Sequence, residues 1–198
     1  MADPLGPNPL WGARSLDRAR RWLERIRPLV EGARATKVPD AVRLDIEDFV
    51  AAMLGEATEV LEKGKSQLIE TYQQHGELRG RAKERAATFV DEWLRSRPRS
   101  IMPGMVAVRH LDVHFEARYS GRMIQIQPPG SDPAVKVWWT HPAIPKAQHD
   151  LLYPSSRLSD DDLAAFNQYV KDTDLLDVLA EMLAEVTVFQ DALANALR

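Results

Sequence analysis

Apolar side chains in the N-terminal half recur at alternating spacings of three and four residues. Leu16, Ala19, Leu23, Ile26 and Val30 fall on one stripe, which predicts a first helix. Pro28 interrupts the stripe; it removes an amide donor and crowds the preceding turn, so a kink or a restart is expected there. After Gly32 and Pro39 a longer pattern runs through Val42, Ile46, Phe49, Met53, Ala57 and Val60 to Leu68 and Tyr72. Pro39 suits the start of this second helix, and Gly76 its end. Gly64 lies inside the run and costs about 1 kcal/mol relative to alanine, so a break is expected near it. Ala82, Ala86, Phe89, Val90 and Trp93 mark a third helix that Pro98 terminates. Ahead of all three, residues 1–12 are rich in proline and glycine, an irregular lead-in that becomes ordered only if Trp11 docks.

The period changes at about residue 104. Val113 to Tyr119 alternate apolar with polar, which describes a strand with one wet face. Ser120 and Gly121 supply a tight turn, residues 122–127 return as the hairpin partner, and residues 128–133 form a longer connection to a further strand at 134–140. Met105 to Leu111 would open the first of these strands. Residues 141–157 read as a loop. Ser159 then caps a helix with Asp162 as the reciprocating acid, and Leu158 is placed to staple against Leu163. The last helix carries Leu175, Leu179, Met182, Val186, Phe189 and Leu193 at heptad spacing; Leu176 and Leu183 widen the stripe, which favours a core face over an oligomer seam. The expected fold is α+β: helical over 13–98, an antiparallel meander of three or four strands over 104–140, a loop over 141–157, and a helical pair over 158–198 whose last member packs on the N-terminal helices.

Composition narrows this little. Hydrophobic residues make up 44% and charged residues 28%, an ordinary globular balance. Without cysteine there is no disulfide framework, thiolate nucleophile or Cys-ligated metal. No secretory signal and no membrane-length apolar run is present, so a cytoplasmic protein without a membrane partner is expected. The net charge of −3 conceals blocks. Residues 1–37 and 77–99 are basic, whereas 38–76 and 150–198 are acidic. Basic and acidic helices that pack beside one another, or that merely face water, explain this more simply than a basic patch for nucleic acid or an acidic surface for a partner.

Candidate chemistry concentrates in one stretch. On a strand, His110, Asp112, His114 and Glu116 share a face, and imidazole with carboxylate suits zinc, iron or manganese. Neighbours two apart stand about 6.5 to 7 Å from one another, so a complete site needs ligands from elsewhere, with His141, His149 and Asp150 as donors. In that reading Glu116 acts as base of a metal-dependent hydrolase. The simpler reading is the wet face of a sheet, with no cofactor. A phosphate loop is excluded: Gly64, Lys65 and Ser66 match its end, but Glu59 stands where the leading glycine belongs. Arg14, Arg18, Arg21 and Arg25 follow helical spacing and could line a phosphate backbone, although the pI near 6.0 argues against a dedicated nucleic-acid binder. Of Trp138 and Trp139, which face opposite ways on a strand, an exposed Trp138 beside Tyr119 or Met123 would anchor a partner. No complete catalytic motif emerges, and the leading expectation is a non-enzymatic interaction protein, a subunit or regulator of a larger bacterial assembly, through a protein partner or self-association.

Overall fold

The three-four spacing of the N-terminal half is realised as three helices, α1 (Ala13–Ala35), α2 (Asp40–Gln74) and α3 (Arg79–Arg95). A computed structural model describes residues 10–97, 99–109, 124–137 and 159–198. Beyond α3 these contain α4 (residues 102–109), strands β1 (Ile124–Ile126) and β2 (Val135–Val137), a short α5 (Asp160–Ala165) that runs into a π-helical turn (Phe166–Val170), and α6 (Leu175–Ala196). The described chain is thus mostly helical with a small two-stranded antiparallel sheet.

α1 and α2 pair along their length, and α6 lies against both. All five stripe residues of α1 and all six heptad residues of α6 are buried, so the heptad seam is a core face within the one chain. Burial of each large apolar side chain contributes about 1.5–3 kcal/mol, so this seam stabilises the packing of α6 on α1 and α2. α1 continues through Pro28, which faces solvent. Of the lead-in, residues 10–12 are described, and there the Trp11 amide donates to Gln67 Oε1 at 3.1 Å while the residue stays 44% exposed.

The expected break at Gly64 does not occur. α2 runs through it because the missing side chain is where α6 packs; a Cβ there would stand 2.7 Å from Phe189 Cε1 and 3.0 Å from Leu193 Cδ2. The ring of Phe189 is itself held edge-on by Trp93 at 5.0 Å. Gly64→Ala should therefore lower stability by about 1 kcal/mol, because overpacking of about 1–3 kcal/mol exceeds the helix gain of about 1 kcal/mol. A thermal melt checks this, and a raised Tm would show that the ring can yield. Gly76 does end α2: at φ +89° its amide bonds to Gln73 O while the Glu77 amide reaches Tyr72 O, a Schellman closure.

One expectation about the sheet is corrected. Residues 104–109 are helical, not the start of a strand. Met102, Met105 and Val108 are buried on one stripe of α4, and Pro103 sits in the first turn, where a missing amide costs nothing. Of the expected meander of three or four strands the described residues contain two, with Ile124 opposite Val137 and Ile126 opposite Val135. Among the described residues the other side of β2 is met by no strand of the meander. The Val137 amide donates to Thr173 O at 3.0 Å, and Val137 O accepts from the Asp172 amide at 2.8 Å, so the connection into α6 covers it. The expected strand at 113–119 and the staple residue Leu158 lie outside the described residues.

The charge blocks pair as basic helix against acidic helix. Arg18 of α1 reaches Glu56 at 2.5 Å and Glu59 at 3.0 Å on α2, and Arg95 of α3 reaches Asp161 at 2.7 Å on α5. The buried Ser15 hydroxyl donates to Glu59 Oε2 at 2.8 Å, and Lys63 Nζ lies 2.9 Å from Glu59 Oε1. Lys63 first, then the Ser15 hydroxyl, hold the Glu59 carboxyl down from 4.5 to about 2. A depressed carboxyl contributes stability that is present above its unfolded value and lost as pH falls through its folded one. Thermal melts from about pH 4.5 to about pH 2 should thus show a decline that is shallower in Glu59→Gln than in wild type. Parallel declines would rule out this contribution.

Candidate functional site

His110, Asp112, His114, Glu116, Tyr119, Met123, Trp138, His141, His149 and Asp150 all lie outside the described residues. The strand-face metal site and the Trp138 anchor therefore belong to segments without a described structure. The four α1 arginines at helical spacing, Arg14, Arg18, Arg21 and Arg25, do not form one free face. Arg18 turns to Glu56 and Glu59, while Arg14, Arg21 and Arg25 stay exposed, Arg25 with its guanidinium 4.9 Å from the Trp22 ring.

The structure instead assembles a cleft of about 490 Å³ between the end of α3, the face of α4, and α5 with the π-helical turn. Its position follows from local chemistry. α3 stops at Arg95, and the chain turns with Arg99 in the left-handed region at φ +69°. A non-glycine residue there costs about 1–2 kcal/mol, and such strain persists where the surroundings overdetermine it. Glu185 supplies that constraint from inside the core. Its carboxylate accepts from the Ser100 hydroxyl at 2.6 Å and from the Ile101 amide at 3.0 Å, fixing the start of α4. On the opposite wall the Lys171 amide bonds back to Phe166 O, five residues earlier, and the wider π turn carries Tyr169 to the cleft. Gly104 lets the two walls meet at backbone distance; a Cβ there would be 2.8 Å from both Cα and N of Phe166.

Three arginines and three aspartates line the cleft. Arg95 is answered twice, by Asp91 at 3.0 Å and Asp161 at 2.7 Å, and its hydrogen bond to Asp91 is the largest cause of its raised pKa. Arg97 lies 5.3 Å from the centre of the Trp93 ring. Among the described residues no carboxylate pairs with Arg97 or Arg99. Asp162 is half-buried, and burial raises its carboxyl pKa against the pull of the Ser159 hydroxyl, which also accepts the Asp162 amide at 3.1 Å as the expected cap. Leu94, Pro103, Val106 and Tyr169 provide the apolar lining.

Sequence reading did not single out Arg97, Arg99 or Tyr169. The signal was present as alternating arginines at 95, 97 and 99 around Pro98, but cations at a helix C-terminus also satisfy the helix dipole and carry no pointer to a ligand on their own.

A second cleft, of about 580 Å³, lies between the start of α2 and β1. Its principal cation, Arg43, is held by Glu47 at 2.9 Å. Among the described residues no three acidic or histidine side chains converge on a metal-sized point, and no helix is long and apolar enough to cross a membrane. No protein-family model, curated protein or solved structure matches the chain.

Proposed function

We propose that the chain is a non-enzymatic interaction protein, a subunit or regulator of a larger assembly, and that its partner docks in the cleft between α3, α4 and the π-helical turn. One observation carries this reading. Arg97 and Arg99 stand beside an apolar lining with no carboxylate among the described residues to answer them, while the neighbouring Arg95 is answered twice. Guanidinium groups, a tyrosine and aliphatic side chains are recognition chemistry, and arginine with tyrosine is enriched among residues that dominate interfaces. The hydroxyl of Ser100, which also lines the cleft, is engaged by Glu185 and serves the fold.

The test is co-purification from the cells that make the protein, with wild type and Arg97→Glu/Arg99→Glu run side by side. Neither arginine is buried, so the variant should melt within about 2 °C of wild type. At least one near-stoichiometric partner should stay with wild type and fall by about tenfold or more with the variant. Identical partner sets from the two proteins would dismiss docking at this cleft.

A further inference from the structure

We infer that the occupant of this cleft presents a carboxylate next to an apolar side chain, as an acidic segment of a protein partner does; this rests on the docking reading given above. Arg97 stands with its guanidinium carbon 5.3 Å from the Trp93 ring centre, a cation–π contact that restrains it beside the cleft, and a guanidinium can take a carboxylate in a two-pronged contact. Arg99 is delivered to the same cleft by a left-handed residue, a conformation glycine would adopt more cheaply, so the backbone is strained where the second cation is placed. Arg95 takes no part, because Asp91 and Asp161 already occupy it.

The sign and number of the charges select within anions. Asp161 and Asp162 stand on the facing wall, so each further negative charge on the ligand adds repulsion. The three arginines and three aspartates of the lining cancel, which disfavours a polyanion such as a nucleic acid. The remaining lining, Val106, Pro103 and Tyr169 among it, accepts an aliphatic or aromatic neighbour of the carboxylate. At about 490 Å³ the space lies within the roughly 300–1,000 Å³ of ligand pockets.

The probe is a capped leucine-aspartate-leucine tripeptide, titrated into the full chain and followed by NMR at the Arg97 and Arg99 Nε–H and the Val106 and Tyr169 amides. Its asparagine counterpart and inorganic phosphate are titrated in parallel. The inference predicts saturable shifts at these four residues, with binding weakened about tenfold or more by asparagine in the peptide and by Arg97→Gln/Arg99→Gln in the protein. Equal binding of the two peptides, shifts confined to other residues, or phosphate binding as tightly as the aspartate peptide would each overturn it. Failures of the two proposals are separable. If the co-purified partner is lost from the arginine variant but the aspartate peptide does not bind, the cleft docks a partner of different chemistry. If the peptide binds and the partner is indifferent to the variant, the ligand class stands and the docking reading falls.

Discussion

Glu185→Ala should lower Tm by about 6 to 12 °C, the outcome of losing about 3 kcal/mol in a chain of this size. Glu185 sits on the buried face of α6 at 9% exposure, and its two oxygens accept from the Ser100 hydroxyl at 2.6 Å and the Ile101 amide at 3.0 Å. The same hydroxyl accepts the Met102 amide at 3.3 Å, so one carboxylate organises the first turn of α4 directly and through an intermediary. Alanine would leave a buried amide and a buried hydroxyl without their acceptor and open a small void beside them. Each orphaned group costs about 1–3 kcal/mol, which outweighs the small gain in helix propensity. Glu185→Gln keeps an acceptor and loses only the charge-assisted part, so about 1 kcal/mol is expected. Because Ser100 and Glu185 act as a unit, Ser100→Ala should cost little more in the alanine background. Hydrogen exchange gives a local readout, with the Ile101 amide exposed in Glu185→Ala. An unchanged Tm with Ile101 still protected would show that the carboxylate does not cap α4.

This cap shows where sequence reading stops. The heptad residues of α6 were legible because each repeats the same demand, burial, at regular spacing, and the structure buries all six. Glu185 lies one position before Val186 and reads as the polar edge of that stripe; nothing local announces a partner 85 residues away. α4 illustrates a different limit. Residues 101–108 are apolar at nearly every position except Pro103 and Gly104, so neither period two nor period 3.6 stands out, and the strand pattern downstream tipped the reading the wrong way. At Gly64 a propensity of about 1 kcal/mol was read without the aromatic ring that fills the space, and tertiary packing prevailed.

The charge blocks combine the two expected arrangements, some pairs bridging helices of opposite sign and other charges facing water, and the pairs contribute little individually because most are half-exposed. Their value lies in what they leave over. On α1 the engagement of Arg18 by Glu56 and Glu59 breaks the arginine row into an exposed trio. At the end of α3 Arg95 is engaged by two aspartates, while among the described residues no carboxylate pairs with Arg97 or Arg99. The candidate site is thus a remainder, visible only after every local pairing has been subtracted. A π-helical turn adds to the difficulty: the extra residue that places Tyr169 on the cleft wall has no sequence period of its own.

Gly104→Ala tests whether the two walls of that cleft are as close as the backbone demands. A helical glycine replaced by alanine ordinarily gains up to about 1 kcal/mol, and Gly80, in the first turn of α3 with nothing within 4 Å of where the added methyl would stand, should behave that way and raise Tm by about 2 °C. At Gly104 the added carbon would meet Phe166 Cα and N at 2.8 Å and Val170 Cγ2 at 3.0 Å. Side chains can rotate away from such a contact; the backbone of the π-helical turn cannot without giving up its wide hydrogen bond from the Lys171 amide to Phe166 O. Overpacking of this kind costs about 1–3 kcal/mol, and with a rigid neighbour the upper end applies. The net loss should be about 2 kcal/mol, or about 4 to 8 °C in Tm, opposite in sign to Gly80→Ala. Moving α4 off the π-helical turn also separates Val106 from Tyr169, so binding of the aspartate tripeptide should weaken in the same variant while Gly80→Ala leaves it unchanged. Two glycine variants that shift Tm in the same direction would mean that the walls of the cleft do not touch at Gly104.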